Sequence, residues 1–309
     1  MRFSLRHLQV FAAVARDGNV SAAAADLAMS QSAASAALLE LERRYGRPLF
    51  DRAGKRLRIN ETGRALLPAA RDLLDRAKEV DALLAGRKGP GSIRLGATQT
   101  IGNHVMPRLI EIYARRYPES AVALEIGNTA GIAARIADFS LDLALVEGEC
   151  AQSGLTLTDW IEDRLVLICN PAHPLATRNP CPIDALLAER WVVREAGSGT
   201  RQTLDHAMRA WRSKWRIGME LQQLEAIVET VAVSGMIGCV SELAAYAPLQ
   251  QGRVVRLHAP DLDLCRRSYL VMHAEKYRSA SIRAFIDICT GIRVDALRRP
   301  AKNWVPARR

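Results

Sequence analysis

The chain has 309 residues, 49% of them apolar and 25% charged, which excludes a disordered or fibrous chain and leaves room for more than one hydrophobic core. Its formal charge of +10 is unevenly spread, at +6 over residues 1–90, −1 over 91–291 and +5 over 292–309. A basic first module beside a neutral body suggests that only part of the chain meets a polyanion, the alternative being a solvated basic surface.

Leu5, Leu8, Phe11, Ala12 and Ala15 recur at helical spacing, and Gly18-Asn19 stops that first helix. Ser21 is the expected N-cap of a short alanine-rich helix over 22–27. Ala28-Met29-Ser30 makes a tight connection, with Ser30 placed to cap a third helix over 31–45. There Ala34, Leu38, Leu41 and Tyr45 form one apolar stripe, which turns Gln31, Ser32, Ser35 and Ala36 outward. A helix of small residues lets its successor approach closely, as in a helix-turn-helix. Small polar groups at the start of the second helix reach base edges and phosphates without blocking the major groove. Arg43, Arg44, Arg47, Arg52, Lys55, Arg56 and Arg58 follow as seven cations in sixteen residues, around a hairpin turn at 51–56. Together these predict an all-α winged helix-turn-helix over 1–60. Its candidate DNA contacts are Ser21, Gln31, Ser32, Ser35, Arg43, Arg52, Lys55 and Arg56.

Residues 61–87 read as one long linker helix, capped near Asn60 or Thr62 and roughly 39 Å long. Leu66, Leu73 and Val80 are seven apart, as are Ala70, Ala77 and Leu84, a seam of the two-stranded coiled-coil kind. Such a stripe needs cover, from the same chain or from a second copy. Pro68 interrupts it, and inside a helix it costs ~3 kcal/mol unless a kink or a late start relieves it. Residues 88–91, within Arg87-Lys88-Gly89-Pro90-Gly91, read as a hinge.

Beyond the hinge, strand and helix signals alternate. Strands are expected over 92–97, 121–126, 142–146, 164–169, 190–193, 219–222 and 237–240, with helices over 101–117 and 132–139 among the connections. The series predicts an α/β domain over 92–291 with a mostly parallel sheet. Residues 171–182, rich in Pro and polar groups, read as a surface loop, and 292–309 as a basic tail. Ligands of open α/β sheets sit beyond the carboxyl ends of the strands. Two such ends run straight into helices: Gly96-Ala97-Thr98-Gln99-Thr100, and Glu195-Ala196-Gly197-Ser198-Gly199-Thr200-Arg201. Opposed across a cleft, they would cradle a small anion with Arg201 as counter-charge; alone, each is an ordinary cap. Asn128, Thr129 and Glu147 end two further strands. The candidate effector set is therefore Thr98, Thr100, Asn128, Thr129, Glu147, Gly197, Ser198, Gly199, Thr200 and Arg201. Glu147 would repel an anion unless one of the two carries a proton; otherwise it can accept a hydrogen bond from a ligand donor.

The N-terminal segment resembles the LysR-type transcriptional regulators. The resemblance is carried by Leu5-Arg6-His7-Leu8-Gln9-Val10-Phe11, by Ser21-Ala22-Ala23-Ala24-Ala25-Asp26-Leu27 and by Ser30-Gln31-Ser32-Ala33-Ala34-Ser35. It continues through Leu39-Glu40-Leu41-Glu42, Pro48-Leu49-Phe50-Asp51-Arg52 and Leu57-Arg58-Ile59-Asn60-Glu61-Thr62-Gly63. It implies a two-lobed effector domain like a type 2 periplasmic binding protein, with lobe one at 92–164 and 266–291 and lobe two at 165–265. It also implies dimers through the linker helices, a homotetramer through the effector domains, and a partly palindromic duplex operator. The mechanism it implies is a population shift, in which ligand closes the cleft and alters the spacing of the DNA-binding pairs. Gln31 to Leu38, Gly54-Lys55-Arg56-Leu57, Ile101-Gly102-Asn103, Val146-Glu147-Gly148 and Gly197-Ser198-Gly199-Thr200-Arg201 are most similar to a sulfur-metabolism subgroup responding to sulfite and related oxyanions. The last of these segments also occurs in regulators of carbon-fixation operons, whose effectors are phosphorylated metabolites.

Enzyme readings fare badly. The six histidines form no metal-spaced pair, Gly197-Ser198-Gly199 is not a nucleophile elbow, and there is neither a P-loop nor a GxGxxG, so no cofactor or metal is expected. The six cysteines contain no CxxC pair, and Cys169 and Cys239, in expected strands, read as core residues before redox sensors. No stretch nears the ~20 apolar residues of a membrane span, and no apolar leader follows Met1, so a cytoplasmic location is the plain expectation. An anion-binding protein or transferase on the same fold is the alternative from another class.

Overall fold

Gly18, in the left-handed conformation at φ 62°, ends helix α1 (Leu5–Asp17). That sets the start of α2 (Val20–Asp26), whose N-cap is Asn19: its Oδ1 accepts from Ser21 N at 2.8 Å. Ser21 therefore sits inside the first turn of the helix it was expected to cap. The helix starts early because Asn19 is already extended and its side chain reaches two amides. Ala28 turns the chain at φ 51°, and Ser30 Oγ accepts from Ala33 N to open α3 (Gln31–Tyr45). Leu8, Phe11, Ala23, Ala34, Leu38 and Leu41 close a common core. Tyr45, expected on that stripe, is 50% exposed: it lies on the same face but is the last residue of α3, past the buried Ala34, Leu38 and Leu41. The wing is the antiparallel pair β1 (Phe50–Ala53) and β2 (Arg56–Ile59). The linker helix α4 (Glu61–Leu84) is capped by Asn60 and continues through Pro68. Gly63 is required there, because a Cβ would lie 2.4 Å from Leu49 O. Leu67 and Ala70 pack into the winged-helix core, while Leu73, Val80, Leu83 and Leu84 are exposed.

The computed structural model describes residues 2–54, 56–86, 89–150 and 152–292. Lys55, Arg87, Lys88 and the tail from 293 onward, singled out above, lie outside the described residues.

Lobe one begins with β3 (Ile93–Thr98), α5 (Gln99–His104) and α6 (Met106–Arg116). The single helix expected over 101–117 is split at Val105, where Pro107 enters the first turn of α6 and cannot donate to a continuing helix. Then come β4 (Val122–Gly127), α7 (Thr129–Ala137), β5 (Leu143–Glu147) and the fifteen-residue β6 (Leu155–Cys169). Lobe two holds α8 (Ile183–Ala188), β7 (Arg190–Arg194), α9 (Gly199–Ala207), β8 (Arg216–Leu221), α10 (Leu224–Val233), β9 (Ile237–Ser241), α11 (Glu242–Gln250) and β10 (Val255–Leu257). The chain returns along β11 (Cys265–His273) to α12 (Ala280–Gly291) in lobe one.

The strands run in the order β4-β3-β5-β11-β6-β9-β7-β8, with β10 on β6. β6 and β11 thus join the two lobes. The sheet is less parallel than expected: β3 with β4 and β5, and β7 with β8 and β9, are parallel, but every pairing of β6 and β11 is antiparallel. The segment 171–182 is more than a surface loop, because Leu175 and Cys181 enter the core of lobe two.

Candidate nucleic-acid interface and interlobe cleft

The start of α3 offers a polar face. Gln31 and Ser32 are exposed, Ser35 is half-buried, and Ser32 Oγ shares a 3.0 Å hydrogen bond with Ser30 Oγ. Ala34 beneath them is fully buried, so the helix is fixed while its outer face is free. Arg43 near the end of α3, Arg52 on β1, and Arg56 and Arg58 on β2 are exposed, and the register sets Asp51 opposite Arg58. Ser21 is exposed on α2. The module thus carries exposed cations around a rigid, small-residue helix start, which suits a duplex with phosphates flanking a groove.

The cleft between the lobes centres on a residue that the sequence reading missed. Arg266, on β11, is buried, and it donates from Nε at 2.8 Å and from Nη2 at 2.6 Å to Asp163 Oδ2 on β6. It also donates to Thr200 Oγ1 of lobe two at 2.9 Å and to Thr100 Oγ1 of lobe one at 3.3 Å. Glu147 Oε1 lies 3.6 Å from the same guanidinium and accepts from Ile101 N at 3.1 Å. Burial opposes the charge on Arg266, but Asp163 and then Glu147 outweigh it, and its pKa stands above the ordinary arginine value. Two carboxylates of the chain therefore occupy the ground an anion would take. A cavity beside it, bounded by Thr100, Glu147, Asp163 and Ser268 among others but not by Arg266 or Thr200, measures about 10 Å³, no more than one water. Ser268 Oγ at its edge is buried with no partner among the described residues.

The other expected residues form a seam beside this centre. Thr129 Oγ1 donates to Glu147 O at 2.9 Å and accepts from Gly199 N at 3.1 Å. Asn128 caps α7 and donates to Glu195 across the lobes at 3.1 Å, and Ala130 N donates to Gly197 O. Gly199 is indispensable here, since a Cβ would come within 2.0 Å of Glu147 O. Thr98 Oγ1 accepts from Glu147 N, and Ser198 is buried at the start of α9. Arg201 departs from expectation. Its guanidinium faces away from the cleft, bound to Asp205 at 2.8 Å, Glu220 at 3.0 Å and Arg194 O at 2.9 Å. Third in α9, it projects onto the outer surface of lobe two, where two carboxylates hold it. Gln99, overlooked in the sequence, bridges the lobes by accepting from Leu224 N at 3.2 Å.

Residues 5–64 match the family model described as bacterial regulatory helix-turn-helix protein, lysR family, and residues 86–291 match the LysR substrate binding domain. The chain belongs to the LysR family of transcriptional regulators. The family binds DNA and small-molecule effectors and does not consist of enzymes. Among LysR relatives, the HTH-type transcriptional regulator YeiE of Escherichia coli (strain K12) is 39% identical over 94% of this chain and 98% of its own. The CcmR regulatory domain of Synechocystis PCC6803, solved in complex with 2-PG, is 27% identical, with a TM-score of 0.61 over 65% of this chain and 96% of that one. A full-length OxyR variant of Pseudomonas aeruginosa shares the fold over 100% of both chains, at a TM-score of 0.71 and 18% identity.

Within this LysR chain, Cys169 and Cys239 are buried, and burial pushes their thiols up to about 11 and about 12. Among the described residues, no helix is long and apolar enough to cross a membrane, and no group of acidic, His and Cys residues could hold a metal ion.

Proposed function

We propose that this regulator senses a small oxyanion, most fittingly sulfite or a related sulfur oxyanion, held by Arg266 between Thr100 and Thr200. The observation that carries this reading is the internal guanidinium itself, hydrogen-bonded to one hydroxyl from each lobe. Both hydroxyls accept from Arg266 and keep their own protons for an anion, and Ser268 supplies a third donor. An entering oxyanion takes the place of Glu147 or Asp163 beside Arg266, so it is bound by exchange. A second reading, a phosphorylated carboxylate, is supported by the 2-PG complex of the CcmR regulatory domain.

The DNA end of the reading assigns base contacts to Gln31, Ser32 and Ser35, and phosphate contacts to Ser21, Arg43, Arg52, Lys55 and Arg56. The exposed apolar residues Leu73, Val80 and Leu84 of α4 support dimers through the linker helices, and pairing of effector domains then gives a tetramer. Such a dimer reads a partly palindromic site, and the chain works in the cytoplasm, where the DNA lies. The test is a thermal-shift titration of the full chain with sulfite, sulfate, thiosulfate, phosphate and 2-PG. A ligand at a hundred times its Kd adds ~2.7 kcal/mol, a rise of several degrees. Stabilisation by sulfite that vanishes in Thr200→Val supports the reading; a response to 2-PG alone selects the second, and no response to any anion removes both.

A further inference from the structure

Two neighbouring strands run from the cleft to the linker helix. β5 ends on Glu147 and begins just after Asp142; β11 holds Arg266 near its start and stops three residues before Lys276. They pair with Ser268 opposite Glu147 and Val271 opposite Ala144, and every residue of β5 is buried. Five residue steps of strand separate Glu147 from Asp142, about 16 Å.

At the far end the charges are again internal. Lys276 Nζ, its side chain 2% exposed, lies 2.6 Å from Asp75 Oδ2 of α4 and 3.1 Å from Asp142 Oδ1. Asp142 is also held by Arg94 at 2.7 Å. On either side of this triad the same loop grips α4 again. Tyr277 N donates to Asp72 Oδ1 at 2.9 Å, Tyr277 OH to Glu79 Oε2 at 3.1 Å, and Ala280 N to Glu79 Oε1 at 2.7 Å. Asp72, Asp75 and Glu79 are spaced three and four apart, so they lie along one face of the helix. A buried ammonium that loses Asp75 keeps only Asp142, which it shares with Arg94, so parting α4 from the loop weakens the compensation of an internal charge and carries a cost. Packed strands transmit displacement because their interior has no slack.

We infer that the Lys276–Asp75 pair is the joint through which the state of the cleft reaches the DNA-binding module, with β5 and β11 as the connecting pair. The inference rests on reading the Arg266 cleft as the effector site. When an anion displaces Glu147, β5 and β11 shift against lobe two and carry Asp142 and Lys276 with them. The linker helix follows, held at Asp75. Lys276 and Asp75 are positioning residues and touch neither ligand nor DNA.

The test uses the full chain and duplexes it selects from a random pool. Glu147→Gln alters the cleft without any ligand, and is expected to change affinity for the selected duplex by about fivefold or more. In the presence of Asp75→Asn, or of Lys276→Met, that change should vanish while the variants still bind the duplex. Thermal melting checks folding, and Asp75→Asn, which keeps Lys276 paired with Asp142, is the milder of the two. An equal change with and without the joint variants would overturn the inference, as would no change from Glu147→Gln alone. Sulfite added to the unaltered chain is a separate arm. Its failure to act would sink the oxyanion reading and leave the Glu147→Gln comparison standing.

Discussion

The start of α3 and the interlobe cleft are built from similar polar residues and stand in opposite states. Gln31 and Ser32 face solvent on a helix whose other side is locked into a core. Thr100, Thr200 and Glu147 are no more than 3% exposed and are bonded to one another's lobes through Arg266. The first surface is finished before its partner arrives, so contact adds bonds to a rigid frame. The second is already satisfied by its own carboxylates, so on the proposed reading a ligand would exchange for them. On that reading, affinity at α3 would be a matter of what is added, and affinity in the cleft a difference between two sets of partners.

The sharpest way to break this contrast is to empty the centre of the cleft. Arg266→Met should lower the unfolding free energy by ~3–5 kcal/mol in urea titrations, because Asp163 is left buried without its cation. Adding Asp163→Asn should recover part of that loss, and no recovery would mean that the two are not energetically paired. The seam comes next. Gly199→Ala forces a methyl against Glu147 O and should cost ~1–3 kcal/mol, a drop of several degrees in Tm. An unchanged Tm would show the lobes apart in solution. At the open surface, Gln31→Ala should reduce discrimination between selected and random duplexes by ~1–3 kcal/mol. Arg52→Ala should instead weaken binding to both duplexes alike and reduce the salt slope by about one; equal losses from both variants would remove the division between base and phosphate contacts. The smallest effect separates two neighbouring caps. Asn19→Ala should cost ~1 kcal/mol of stability and Ser21→Ala no more than ~0.5 kcal/mol, since Asn19 carries the cap bonds of α2.

Much of the N-terminal module was legible because its signals are local. Ser30 as a cap, the extent of α3 and the stripe of Ala34, Leu38 and Leu41 all follow from spacing within one element. Ser21 was misread because two good capping residues stood two apart, and the conformation of Gly18 decided between them. In the effector domain the strand ends at Thr98 and Glu147 were visible, as was the glycine turn before Thr200. β11 was not. Arg266-Arg267 at its start reads as solvated, and the carboxylate that allows Arg266 into the interior stands 103 residues earlier in the chain. Tyr269-Leu270-Val271-Met272 was the available strand signal, but its partners β5 and β6 could not be assigned without the sheet order.

Hydrophobic period, caps and local motifs act within a few turns of chain. They were enough to specify the two modules, the long helix between them, the family and the outward placing of Gln31 and Ser32 at α3. Which cation enters the cleft, which of Arg201 and Arg266 is spent on the surface, and that Lys276 binds the linker helix were settled only in the folded molecule. Those choices depend on compensating a buried charge with a carboxylate from a distant segment, and only folding brings the two together.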